Sequence, residues 1–525
     1  MKKRAVPLLL AVLLLLPPPH LLQAGNNFAA NKQSKEVSVK PAQEIPRVHK
    51  KSNPNISDAD AMSAEVDFYL GNHENSERIL KGLKDKHDRN FALWSNNLAS
   101  LYLSEGRNKE ARESLTDAFL LMNNFDAFKN LEAKALGITG NEASKAYKGD
   151  PYEKVLNSLY LGLLLIDEDD LGNAAASFKN GILCDSDVEG DLYKSDVAPL
   201  YLLAARTQII TGNQALADEY LKTAKDAYYL SHPTNRQIVW EEQILQSKKS
   251  DAQKELKKLL GDQPADAKEA KKASKKTEKK IDGLKSQIEA LDNQIKEKTA
   301  LREENNKKIT LPNFNNFLSQ QNNVILCIET GKAPLKVQTG TYGEKAIFRL
   351  KPYKAKRFSV LLDKHINIDK NCFLNNNDIL YQAETRGGRK MDGILKGKAN
   401  FKETTAKVST AFMEMSAIAA TTTAFSGSGD SSVAGLAVTG AFLVAGLVMA
   451  ATSAAANPSA DARHWSYLPA EIQIIPFSAA AGKHHVSLIS CDDSGRELKG
   501  MEAEFDIEVK NTGTTVIFKR IFERV

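Results

Sequence analysis

Residues 98–118 read LASLYLSEGRNKEARESLTDA, and their pattern decides the fold of the first half of the chain. Leu98, Ala99 and Tyr102 lead to a turn at Gly106, and Ala111, Leu115 and Ala118 follow it at helical spacing. Two helices joined by a short turn are predicted, with small residues where they pack closely. The spacing returns at Ala205, Gly212, Ala217, Leu221 and Ala224. It returns again at Gly162, Ala174, Phe178 and Gly181, with Asp169 where the turn glycine would be, and a degenerate first copy has Ala64, Gly71, Ser76 and Leu80.

This recurrence over residues 57–247 resembles the tetratricopeptide repeat, whose large apolar positions fill the groove between neighbouring helix pairs. The copies are irregular, 63 residues apart from Ala99 to Gly162 and 43 from Gly162 to Ala205, so insertions such as 140–152 and 185–195 separate them. A plain helical bundle uses the same apolar periodicity. The resemblance implies an α-solenoid whose concave face holds an extended peptide or another protein. Trp94, Tyr160, Tyr201 and Tyr228 are its candidate surface aromatics.

Residues 248–310 change character. Between 248 and 308 there are 18 Lys or Arg against 12 Asp or Glu, a local surplus equal to the formal net charge of +6. Ile281, Leu284, Ile288, Leu291 and Ile295 fall on the a and d positions of about two heptads, which predicts a basic coiled-coil arm. It can pair with itself in a dimer, fold back as an antiparallel hairpin, or lie along the repeats. The whole chain, with 525 residues, 42% of them hydrophobic, is too apolar for wholesale disorder. A charge of +6 over that length does not mark a nucleic-acid binder, and none is expected as a partner.

Lys2, Lys3 and Arg4 precede the apolar run Leu8–Leu16, and Leu22-Gln23-Ala24 offers a cleavage site before Gly25. Residues 1–24 therefore read as a secretory signal peptide and 25–56 as a flexible linker. Further on, residues 433–451 (VAGLAVTGAFLVAGLVMAA) carry no charge over 19 residues, enough to span a membrane. Gly435, Gly440 and Gly446 would let another helix approach closely. With the weaker segment 408–425 and the turn 426–430, residues 403–456 read as a helical hairpin. It is buried in protein or inserted in a membrane, unless the apolar segment alone is a single span.

The hairpin interrupts a β-rich block, 311–525. Val324–Glu329 (VILCIE), Glu471–Pro476 (EIQIIP), His485–Ser490, Glu504–Val509 and Thr515–Ile521 read as strands of a mainly antiparallel domain, so the fold class is α+β. Tyr152, Tyr160, Leu161, Gly162 and Asp170, the segment 323–336 ending GKAPLK, and the segment DARHWSYLPAEI at 461–472 together resemble an uncharacterised family of bacterial envelope proteins, often lipoproteins. These join tetratricopeptide-like repeats to a C-terminal domain. The resemblance implies a periplasmic or membrane-associated location. The chain departs from it in having no cysteine before Cys184 to accept a lipid. Asp461, Arg463, Trp465, Leu468 and Pro469 form a candidate recognition motif, a charged pair beside an exposed tryptophan; alternatively they brace the hairpin–sheet junction while Trp465 fills the core.

Phosphate-loop, zincin and nucleophile-elbow signatures are not found, and no cofactor or metal is expected. His484-His485, the loop 386–390 and Asp492-Asp493 read as a strand start, a basic loop and a turn. The expectation is a non-enzymatic envelope scaffold or adaptor that binds protein through its repeats, possible roles being assembly or export of envelope components. The competing expectation is a membrane-inserted component that oligomerises through the 433–451 glycines.

Overall fold

The computed structural model describes residues 54–123, 146–186, 191–261, 270–339, 345–368, 374–385 and 460–523. The signal peptide, most of the 25–56 linker, the hairpin 403–456 with Gly435, Gly440 and Gly446, and Cys372 lie outside the described residues. The fold is mixed α+β, helical in its N-terminal part.

The helices follow one another as α1 (Pro54–Leu70), α2 (His73–Lys84), α3 (Phe91–Ser104), α4 (Asn108–Asn123), α5 (Pro151–Asp167), α6 (Leu171–Asp185), α7 (Ala198–Ile210) and α8 (Gln214–Ser231). Each odd-numbered helix packs on the even-numbered one after it. All four pairs are closed by the same turn. Gly71, Gly106, Asp169 and Gly212 sit at φ +83°, +71°, +62° and +84°. The next N–H in each case donates to the carbonyl five residues back: Asn72 to Asp67, Arg107 to Tyr102, Asp170 to Leu165 and Asn213 to Gln208, all at 2.8–2.9 Å. This capping motif satisfies carbonyls that the helix end leaves open, and it needs a residue that tolerates the left-handed region.

Small residues sit where the spacing placed them. Ala64, Ala99, Ala111, Ala118, Ala174, Ala205 and Ala224 are fully buried. A Cβ on Gly162 would lie 2.3 Å from the Phe178 ring, so α5 and α6 approach as closely as a glycine allows.

α9 (Pro233–Gly261) and α10 (Ala270–Asn306) form a long antiparallel pair. Asn235 meets Asn306 at 2.8 Å, Thr299 donates to Glu242 at 3.0 Å, Lys249 meets Asp292 at 2.5 Å and Lys280 meets Glu255 at 2.7 Å. Ala252, Ile281, Leu284 and Leu291 are buried along it. Residues 270–306 thus run back along a helix that starts at Pro233, ahead of the change in composition at 248. α9 runs unbroken across residue 248, where the composition changes; a shift in charge does not break hydrogen bonds between helical turns.

The strands are β1 (Val324–Thr330), β2 (Leu335–Thr339), β3 (Lys345–Arg349), β4 (Arg357–Leu362), β5 (Ile366–Asn367), β6 (Leu374–Asp378), β7 (Glu471–Phe477), β8 (Gly482–Cys491), β9 (Ala503–Val509) and β10 (Thr515–Ile521), with short helices α11 (Phe314–Leu318) and α12 (Ile379–Thr385). One sheet runs β10-β1-β7-β6, a second β5-β4-β8-β9, and β2–β3 form a hairpin. Pairing is antiparallel except between β1 and β10. Strands before and after residues 386–459 therefore share both four-stranded sheets.

The first sheet is covered on both faces, which explains why β1 and β7 read as nearly continuous apolar runs. Ile325, Cys327, Ile472, Ile474, Val516 and Phe518 face the helices. Val324, Leu326, Ile328, Ile475 and Ile521 face the second sheet, against Phe358, Val360, Val486 and Leu488. On the helical side the contacts come from α3, α5 and α7, which are buried almost all round. A helix apolar on every side belongs in an interior. Helices and sheet thus share one core, and the face made by α3, α5 and α7 is closed by the chain's own strands.

Candidate functional site

The three segments that carry the family resemblance meet at this closed face. α5 opens with Asp150 as its N-cap, Pro151 in the first turn and Glu153 three residues on. Pro151 suits a first turn because its missing N–H has no helical partner there, and an acid at the third position reaches back to the cap. Glu153 Oε2 accepts the Asp150 N–H at 2.5 Å, and its Oε1 accepts the Trp465 N–H at 2.6 Å. Burial, with the Asp150 charge added, pushes the Glu153 carboxyl up to about 7. Asp150 in turn is held by Lys336 Nζ, 3.0 Å from Oδ1 and 2.8 Å from Oδ2.

Two turns along α5, the Tyr160 hydroxyl donates to Glu329 Oε1 at 2.5 Å. Arg520 donates to Glu329 Oε2 at 3.2 Å and to the carbonyls of Gly331 and Leu468 at 2.9 and 3.0 Å. All three side chains are buried. β1 alternates faces, so Glu329 follows Ile325 and Cys327 onto the helical side, and Arg520 follows Val516 and Phe518 there. Burial and the Glu329 charge raise the Tyr160 hydroxyl well above its ordinary range. Burial also raises the Cys327 thiol.

Residues 461–470 strap this junction to the helices. Arg463 Nε lies 2.9 and 3.0 Å from the two Asp461 oxygens, and its Nη1 donates to Asn90 at 2.7 Å. The Trp465 indole donates to Ser100 at 2.9 Å; Tyr69 donates to the Ser466 carbonyl at 2.9 Å, and the Tyr467 and Ser76 hydroxyls lie 2.8 Å apart. Leu468 and Pro469 are buried. Trp465 is fully buried, not an exposed recognition tryptophan. A ring that large, with its one donor satisfied by Ser100, belongs to the packed junction.

The candidate surface aromatics are likewise interior. Trp94, Tyr160, Tyr201 and Tyr228 are each at most 5% exposed, because α3, α5 and α7 are covered by the sheet and Tyr228 stacks edge-on against Phe314. The outward tryptophan is Trp240 on α9, 54% exposed.

Two buried polar groups escaped the sequence reading. Arg206, in the run LYLLAART, donates to the carbonyls of Phe317, Ser319 and Asn322 and to the Thr514 hydroxyl at 2.6–3.3 Å, and burial lowers its pKa to about 10. Near α12, Tyr381 donates to Asp196 at 2.9 Å while Arg236 bonds Asp378 at 2.6 Å and stacks on the Tyr381 ring. A charge inside an apolar run was the available signal for Arg206, Glu329 and Arg520. Among the described residues no cluster of three or more His, Cys, Asp or Glu could hold a metal. His484 pairs with Asp363 at 2.8 Å and His485 with Asp506 at 2.9 Å.

Comparison with protein-family models, curated proteins and solved structures finds no significant match.

Proposed function

We propose that this chain is a non-enzymatic scaffold or adaptor of the cell envelope that holds a partner protein on the outside of its helical part. The observation that carries the reading is one helix–turn–helix unit used four times, closed each time by the same left-handed turn. Stacked units of that kind build tetratricopeptide-type superhelices, which serve as protein-binding surfaces. The resemblance to envelope proteins and the basic-then-apolar leader at residues 2–16 support a periplasmic location. Because the chain's own sheet covers α3, α5 and α7, a partner must use the outer surface. Trp240 is the outward tryptophan there, on α9 of the α9–α10 pair, which serves as a coiled-coil arm. Tryptophan is enriched among residues that anchor interfaces.

The test is affinity capture from envelope extracts with the full chain. A stoichiometric partner recovered by the wild type and lost with Trp240→Ala is expected. Equal recovery with Trp240→Ala, and with a variant carrying serine at the exposed Met62, Val66 and Leu70 of α1, would remove the reading.

The shared sheet favours a second reading over a lone span. β1 precedes residues 386–459 and pairs with β7 after them, so the strands on either side of that segment belong to one body. A segment tethered in that way crosses a bilayer an even number of times or not at all. A membrane-inserted hairpin that oligomerises through Gly440 would stay with membranes through alkaline carbonate, and Gly440→Leu would break its assembly. Among the described residues no helix is long and apolar enough to cross a membrane.

A further inference from the structure

Strand β2 is inside out. Leu335 is 48% exposed, while the next residue, Lys336, points inward with its side chain only 2% exposed. A half-buried strand normally turns its apolar residues to the core. Such local violations concentrate where a sequence serves something besides stability.

The inward lysine sits on one carboxyl group. Lys336 Nζ is 3.0 Å from Asp150 Oδ1 and 2.8 Å from Oδ2. Two contacts that short put Nζ roughly 3–3.5 Å from the carboxyl carbon, the separation of reacting atoms, with Nζ near the carboxyl plane, so attack requires the carboxyl group to rotate its face toward the nitrogen. The walls are aromatic: Nζ is 6.0 Å from the Phe348 ring centre, and Phe348 meets Tyr152 edge to face at 5.7 Å. Glu153 lies in the same enclosure, bonded to the Asp150 N–H, and its charge is felt by Lys336 and Asp150 alike. The other titratable neighbours are Tyr147 and Tyr152, which lie against Glu153, and His464, whose positive form burial disfavours.

We propose that Lys336 and Asp150 condense into an intramolecular isopeptide bond, Nζ to Cγ, with Glu153 carrying protons during the step. The ammonium of Lys336 gives up a proton within the enclosure, so that a neutral amine faces a protonated Asp150. The amine nitrogen attacks Cγ and forms the N–C bond. The tetrahedral carbon then loses its hydroxyl, which takes a second proton from the nitrogen and leaves as water. One hydrogen remains on the amide, two leave in the water, and Glu153 ends as it began. The reaction neither oxidises nor reduces anything and needs no co-reactant.

Four features favour it here. Water, which in solution pulls such an amide back to acid and amine, is shut out. Holding the two groups in contact spares them the translational entropy of meeting. The bond also removes two charges whose desolvation a buried salt bridge seldom repays in full. A Glu153 carboxyl pushed up to about 7 exchanges a proton readily at neutral pH. The product would tie the first turn of α5 to β2, joining the helical and β parts covalently.

The test is peptide mapping by mass spectrometry of the folded, full-length chain. A branched peptide joining Lys336 to Asp150, lighter than its two parts by one water, is expected. It should vanish in Lys336→Met. In Glu153→Gln, checked for native circular dichroism, it should form at least tenfold more slowly, with the rate followed after refolding. Folded wild-type chain whose Lys336 and Asp150 peptides stay separate would overturn the proposal. Undiminished cross-linking in Glu153→Gln would overturn the role given to Glu153.

Discussion

Glu329 and Arg520 stand opposite each other across the parallel pair β1–β10, bonded at 3.2 Å and shut away from water on the side that faces α5. The strands that bear them are 191 residues apart in sequence. Their bond closes only when the first and last strands of the block are both in place. Tyr160 brings α5 into the same contact.

Arg520→Met should cost about 3–5 kcal/mol, the penalty for leaving one buried charge without its partner. It strands the Glu329 carboxylate and also the carbonyls of Gly331 and Leu468. Urea denaturation of the variant measures this directly, and a loss below about 1 kcal/mol would mean that the pair is hydrated.

Asp169 holds a left-handed conformation that glycine holds at Gly71, Gly106 and Gly212. Asp169→Gly should therefore stabilise by up to about 1 kcal/mol, while Gly106→Ala should cost about 1–2 kcal/mol. A Cβ at Gly106 would meet nothing within 4 Å, so its cost would come from the backbone alone. Thermal melts of the two variants should shift in opposite directions.

Gly162→Ala should cost about 1–3 kcal/mol through overpacking against Phe178. Adding Phe178→Leu should return part of that loss, since the smaller side chain vacates the space the new methyl needs. A double variant no better than the sum of its parts would show that α5 and α6 adjust in another way.

Legibility in the sequence followed physics. Close helix contacts demand small residues and left-handed turns demand glycine or a tolerant aspartate, so the units, down to Asp169, could be placed from spacing. β1 could be seen as a strand, but an apolar run does not encode its neighbour, and the parallel partner β10 could not be read. Nor could the covered face. The all-round apolar character of α5 was a sign of burial on two sides, yet its tyrosines suit a binding surface equally well. Lys336 stayed hidden because lysine is almost always outside and only the chain's register turns it in.

Glu471 is buried and pushed up to about 7, although Tyr353 and Gln473 bond its oxygens and oppose that rise. A carboxyl whose folded pKa exceeds its unfolded value binds more protons when folded. Its contribution is complete below about pH 4.5 and is lost as pH rises through 7, by up to about 1.4 kcal/mol per pH unit. Glu153 and Asp196, also pushed to about 7 chiefly by burial, act in the same direction. His232 and His464, lowered by burial, act in the opposite one as pH falls through 6.5. Glu471→Gln should therefore be compared with wild type by denaturation from pH 5 to 8. The variant's stability should fall less steeply with pH, and parallel curves would mean that Glu471 is charged throughout.

Helices and sheet form one body around Tyr160, Glu329 and Arg520. Native-state hydrogen exchange in rising, sub-denaturing urea tests it most directly, following peptides that cover α5, β1 and β10. All three should exchange through one opening of the same free energy and the same urea dependence. Protection that persists in α5 while β1 and β10 open at lower free energy would contradict it, because the two parts would then fold separately and the α3–α5–α7 face would be free to bind.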